Sequence, residues 1–198
     1  ASYNTAVGHT ALAANTTGQS NTAVGRDALE ANTTGQSNTA VGYDALEANT
    51  TAAGNTAVGH SALKANTTGA SNVAVGTDAL KANTTASGNV AIGFEAGKII
   101  TDGAGILAIG YRAYSNADNE QHNLAIGYDA LGGAVAGGEY NVAIGNYALD
   151  ALTSGDKCVA VGYSAGSSIT TGGANTLVGS EAGKSITTGT FNTFFGFE

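Results

Sequence analysis

The chain has 198 residues, 30 of them Gly, with no Pro, Trp or Met, 11% charged residues and a formal net charge of −8. The acidic balance repels phosphate backbones and excludes nucleic acid as an expected partner. No apolar run approaches the roughly 20 residues of a membrane-spanning helix, and the single cysteine, Cys158, rules out an intrachain disulfide or a cysteine-built metal cage.

A hydrophobic content of 42% carried on a strict period separates the chain from disordered sequences of similar richness in Gly and Thr. The phrase Asn-Thr/Val-Ala-Val/Ile-Gly opens at Asn4, Asn21, Asn38, Asn55, Asn72 and Asn89, and continues more loosely at Ile106, Asn123, Asn141, Cys158, Asn175 and Asn192. Every step is 17 residues except the step of 18 from Asn123 to Asn141. We number the coil positions 1–17 from that Asn.

Positions 1–5 read as a strand closed by Gly. Positions 6 and 7 vary, position 8 is Ala, position 9 is Leu or Gly in every coil but the one with Tyr114, and a polar stretch such as Asn32-Thr33-Thr34-Gly35-Gln36-Ser37 ends the coil. Val, Ile and Thr favour the strand, while Gly and Asn tolerate the positive φ of tight corners. The Ala-Leu-x-Ala segment is too short for a stable helix. Seventeen residues make one turn of a narrow parallel β-solenoid, expected to hold two short strands and two corners, with coils about 4.8 Å apart. Eleven full coils and a partial twelfth form one domain over residues 1–198 and a rod of roughly 50 Å. The chain starts without Met and stops inside a repeat at Glu198, so it is expected to be a segment of a longer fibre protein. The first five coils are nearly identical and the later ones vary; the 18-residue step and Gly132-Gly133 predict a bulge near Ala134–Tyr140.

Side chains at positions 2 and 4 point one way from the strand and position 3 the other. A sheet wetted on one face alternates apolar with polar. Here none of the sixty pentapeptide positions is charged. One face fills the coil interior and the other requires a partner, since each buried Val or Ile is worth about 1.5–3 kcal/mol. A homotrimer clinging lengthwise is the expected arrangement, with a self-assembling filament as the alternative because solenoid ends offer unpaired edges.

Ser71-Asn72-Val73-Ala74-Val75-Gly76 and Gly88-Asn89-Val90-Ala91-Ile92-Gly93 resemble the Asn-Ser-Val-Ala-Ile-Gly repeats of trimeric autotransporter adhesin heads, the YadA-like family. The fuller pattern Asn-Thr-Ala-Val-Gly-x-x-Ala-Leu-x-x-Asn-Thr-Thr-Gly is also similar to repeats of bacteriophage tail fibres. The resemblance covers the whole chain. It implies a left-handed parallel β-roll three chains deep, extracellular on a virion or cell surface, that extends a fibre and presents a surface for attachment to host glycans or proteins.

Position 6 forms an outward column in which Tyr43, Phe94, Tyr111, Tyr128 and Tyr163 are the candidate ligand contacts. Aromatic rings beside the carboxylates of position 7 can hold sugars; corner residues packing between coils or chains are the plainer reading. Asp27 and Asp44, one rung apart, lack the six to eight oxygen ligands a hard cation wants. His9 and His60 are three coils apart, about 14 Å, and His122 stands alone, so neither metal nor cofactor is expected. Adjacent-rung acids match the 5–10 Å spacing of glycosidase carboxylates, but no cleft desolvates one of them, and Cys158 replaces a strand Asn as a small buried residue. No catalytic residue, and hence no enzyme such as a polysaccharide-degrading spike, is expected. Asn15, Asn32, Asn49, Asn66 and Asn83 match the Asn-x-Thr glycosylation pattern, yet their register is that of hydrogen-bonded ladders along a corner. The Thr arrays resemble those of ice-binding solenoids, but adjacent Thr pairs cannot both face one plane.

Overall fold

The computed structural model describes residues 2–198, which form one twelve-stranded parallel sheet wound as a β-solenoid of about eleven turns. Each coil carries one three-residue strand: β1 (Thr5–Val7), β2 (Thr22–Val24), β3 (Thr39–Val41), β4 (Thr56–Val58), β5 (Val73–Val75), β6 (Val90–Ile92), β7 (Leu107–Ile109), β8 (Leu124–Ile126), β9 (Val142–Ile144), β10 (Val159–Val161), β11 (Thr176–Val178) and β12 (Thr193–Phe195). Strands pair strictly in chain order, and the register matches equivalent positions, Ala23 with Ala40 and Val24 with Val41. The 18-residue step keeps that alignment, because Leu124 still pairs with Val142.

The position-5 glycine ends every strand. At Gly42, φ is +139°, and a Cβ there would sit 2.4 Å from the carbonyl oxygen of Gly59 on the next coil. The backbones of successive coils thus meet without room for a side chain.

The second straight segment differs from expectation: it is not a strand. Positions 7, 9 and 17 hold left-handed φ in coil after coil, as at Asp44 (57°), Leu46 (53°) and Ser37 (56°). A left-handed residue every second position breaks extended backbone into a chain of turns, although these still bond along the axis, Leu29 N–H donating to Ala45 O at 3.1 Å. A left-handed conformation costs an L-residue about 1–2 kcal/mol, and full burial of Leu returns about 1.5–3. The position-9 leucines Leu29, Leu46, Leu63 and Leu80 are wholly buried, which holds them there.

The core is the position-3 and position-8 alanines with the position-9 residue. In three coils volume is exchanged between positions 9 and 12, while one coil buries leucine at both, Leu149 and Leu152. Where position 9 becomes Gly97, Gly166 or Gly183, relieving the backbone strain, position 12 changes from Asn to Ile100, Ile169 or Ile186; a Cβ on Gly97 would lie 2.9 Å from Ile100 Cδ1. Tyr114, also fully buried, pairs instead with Ala117, and its hydroxyl accepts a hydrogen bond from Asn123 Nδ2 at 2.8 Å. The extra residue of the long step lies between Leu131 and Val135, at the leading edge of the expected stretch. Leu131 N–H reaches Ala148 O, one residue further along than the equivalent bond from Leu29 to Ala45, while Ala136 N–H reaches Thr153 O with the same span as Thr16 to Thr33. Glu120 pins this bulge by accepting the N–H of Gly137 at 2.9 Å.

Two asparagine ladders run inside. At position 12, Asn49 Nδ2 donates to Asn32 Oδ1 at 2.9 Å, and Asn66 Nδ2 to Asn49 Oδ1 at 3.0 Å, the expected corner ladder. At position 1, Asn38 N–H donates to Asn21 Oδ1 at 2.9 Å while Asn21 Nδ2 donates to Gly35 O at 2.8 Å. Gly35 O also accepts from Asn32 Nδ2 at 3.2 Å, so one carbonyl ties the strand to the corner. Asn32, Asn49, Asn66 and Asn83 are wholly buried, which closes those four Asn-x-Thr sites to any transferase acting on the folded chain, while Asn15 is half-buried.

Gly42→Ala is expected to destabilise by about 3 kcal/mol or more, since backbone strain and a backbone clash coincide. Gly54→Ala, at φ +71° with its nearest neighbour 3.6 Å from the new Cβ, should cost only about 1–2 kcal/mol. Thermal unfolding of the two variants side by side checks this ordering. Asn49→Ala strands its ladder partners and should cost about 1–3 kcal/mol in the same assay.

Candidate functional site

The strand's outer face runs unbroken along the rod. From β2 to β11 the middle residue is buried and its two flanking side chains stay partly or fully exposed. Along β5–β10 both flanking columns consist only of Val, Leu and Ile, from Val73 and Val75 to Val159 and Val161. Ile92, among the most open of these, is 39% exposed. The inward half of the sequence expectation is met by the alanine column, and the outward half is an uncharged apolar stripe along the rod.

Position 6 emerges just past the strand glycine, and its side chains stand outward in register. Tyr43, Phe94, Tyr111, Tyr128 and Tyr163 are 41–51% exposed. Phe94, Tyr111 and Tyr128 form one continuous stack, with centroids 5.1 and 4.9 Å apart and planes within 13° and 8°. Tyr43 belongs to a separate cluster, stacked on His60 at 5.3 Å and capped by the Arg26 guanidinium at 5.3 Å. Tyr163 joins the main stack only through Tyr147, which tilts against Tyr128 at 5.4 Å and meets Tyr163 edge-on at 6.1 Å. Rings that cover each other's faces stabilise the coil stack and leave mostly edges and hydroxyls to a ligand. Tyr147, from position 7, and the His122–Tyr140 stack at 5.2 Å, from position 17, were not among the sequence candidates.

Where position 10 is a lysine of the same or the next coil, the position-7 carboxylate is ion-paired with it. Asp44 and Glu47 hold Lys64 Nζ at 2.7 and 3.1 Å, and their hydrogen bonds raise the ammonium's pKa. Asp78 pairs with Lys81 at 3.1 Å, Glu95 with Lys98 at 2.6 Å and Glu181 with Lys184 at 2.9 Å. Asp27 accepts the Thr10 hydroxyl, which lowers its pKa, and meets Arg26 Nε at 3.0 Å. Asp27 and Asp44 are therefore occupied by different cations and share none. Among the described residues no three His, Cys, Asp or Glu side chains gather at a metal-binding spacing. Cys158 is buried, its thiol donates to Gly172 O at 3.2 Å, and burial pushes its pKa up, away from a reactive thiolate.

Position 11 adds a groove that the sequence reading did not single out. Ala48, Ala65, Ala82 and Ile99 floor a channel of about 450 Å³ walled by Glu47, Lys64, Lys81 and Lys98. The recurring Ala at that position was its signal. No helix is long and apolar enough to cross a membrane among the described residues.

Comparison with protein-family profiles, with curated proteins and with solved structures returns no match, so geometry carries the functional reading.

Asp150 occupies the lysine column without a lysine partner. Its buried Oδ1 has no hydrogen-bond partner, and burial, followed by the charge of Asp129, raises its pKa. A raised folded pKa means the native state holds the proton more tightly than the unfolded chain. The ionised form thus costs stability at neutral pH, a cost relieved as pH falls through that pKa. Asp150→Ser, copying Ser167 one coil on, should raise the unfolding midpoint near pH 7, with the gain shrinking on acidification; thermal melts across a pH series read this directly.

Proposed function

We propose that the chain is a structural and adhesive fibre segment, assembled as a homotrimer of left-handed β-rolls outside the cell, on a bacterial surface or a phage tail fibre. It stiffens and extends the fibre and contacts host-surface glycans or proteins through its outward columns. It is not an enzyme, and it works without a cofactor. The resemblance of the repeats to adhesin heads and tail fibres supports this reading.

The observation that carries it is the apolar outer stripe of β5–β10. Half-exposed Val, Leu and Ile in two adjacent columns over six coils, with no charge among them, is surface that water disfavours. Three copies turned inward on a common axis bury all three stripes in one closed assembly. The charged and aromatic positions 6, 7 and 10 remain outside, where a fibre meets its target.

Light scattering after size exclusion should return three times the 19.3 kDa chain mass. Ile109→Lys, which places a charge mid-stripe, should shift that mass toward one chain at micromolar concentration. A single-chain mass for folded wild-type protein contradicts the trimer, and a mass that grows with concentration without plateau favours the filament instead.

A further inference from the structure

From Tyr43 to Tyr128 every rung of the outward column carries a ring except one, Thr77. We propose that this gap seats one neutral hexopyranose ring of a glycan, held between His60 and Phe94. The proposal rests on the reading of the outward columns as a glycan-contacting surface and names where and what they bind.

His60 has one face covered by Tyr43, at 5.3 Å and 9° between planes, and Phe94 has one face covered by Tyr111, at 5.1 Å and 13°. Their remaining faces look toward each other across the exposed Thr77. Two rungs separate the rings by about 10 Å. In the same column Tyr111 fills an equal two-rung interval, 5.1 Å from Phe94 and 4.9 Å from Tyr128, so the gap at Thr77 has room for one ring layer. A pyranose chair is a single layer of that kind, and its axial C–H groups give it an apolar face toward each wall. Those C–H groups meet the negative ring faces favourably, and the Thr77 hydroxyl at the floor exchanges hydrogen bonds with ring substituents. The flanking carboxylates, Asp78 and Glu95, are already paired with Lys81 and Lys98. The surroundings are locally balanced in charge, which suits a neutral sugar over a uronate or an amine.

Another rung of the column shows the alternative. Where position 6 is Asn146, Tyr147 from the next position leans in and closes the opening between Tyr128 and Tyr163. At Thr77 the neighbouring residue is Asp78, which is paired with Lys81 and supplies no ring to the column.

The test is an NMR titration of the intact chain with the methyl glycosides of glucose, galactose, mannose and N-acetylglucosamine, observing the Thr77 methyl and the Phe94 ring. At least one glycoside should shift both signals in a saturable, millimolar manner. Thr77→Phe continues the aromatic stack, should raise thermal stability, and should abolish the saturable shift at Phe94. Shifts confined to Tyr163 or to Tyr111 and Tyr128 overturn the Thr77 seat but leave glycan contact by the column standing. Equal Phe94 shifts in wild type and Thr77→Phe overturn the seat as well. No saturable shift anywhere with any of the four overturns both the seat and glycan contact, while the trimer mass tests assembly separately.

Discussion

Everything in this rod depends on how closely successive coils approach at the strand glycine. Where a Cβ would stand on Gly25, the carbonyl oxygen of Gly42 lies 2.3 Å away, and the same holds from coil to coil along the rod. That contact fixes both the rise and the rotation of each coil, so equivalent residues stand in columns. Columns turn weak local preferences into ladders. Asparagine amides that would compete with secondary structure elsewhere here bond to their own repeats at 2.8–3.1 Å. Exposed rings stack because their attachment points are already one rung apart. Even the 18-residue step is absorbed between Leu131 and Val135, so that Gly127 still meets Gly145.

The same closeness makes the coil thin, and thinness has a consequence for assembly. The interior is lined mostly by alanine from the strand and from position 8 and by leucine from position 9, with Ile100, Leu152 or Ile169 from position 12 and the larger Tyr114 and Leu177 in single coils. The larger strand residues, Val75, Ile92 and Ile109, are therefore turned out rather than in. A solenoid with a wider interior would bury its Val and Ile internally. This one presents them, and the small residue inside is the reason for the large one outside. The surface beyond the strand glycine differs, with ion pairs of modest individual worth and stacked rings on a rigid support.

Much of this was legible because repetition multiplies weak signals. The 17-residue frame, the parallel register and the corner asparagine ladder followed from spacing alone, whereas spacing did not say that the alanine face is the inward one. The second straight segment was misread because Ala-Leu-x-Ala carries no mark of left-handed φ; leucine is a poor residue for that conformation, and only its complete burial explains it. The position-1 ladder was hidden by the strand pattern, since an asparagine before Thr-Ala-Val reads as a strand boundary. For the outward column, spacing identified Tyr43, Phe94, Tyr111, Tyr128 and Tyr163 but not that their faces are spent on one another. Tyr147 escaped notice because its neighbour Asn146 occupies the aromatic position.

The outward strand face is the point at which a lone coil and an assembled fibre differ most. Methyl-detected relaxation of Val75, Ile92 and Ile109 in the presence of an inert soluble paramagnet measures water access to that face side chain by side chain. If the stripe is buried between chains, those methyls are as protected as the core methyls of Leu63 and Leu80, while the Thr68 and Thr85 methyls on another face are strongly broadened. Broadening of the stripe methyls to the level of Thr68 in folded protein would mean that the face is wet and the chain stands alone.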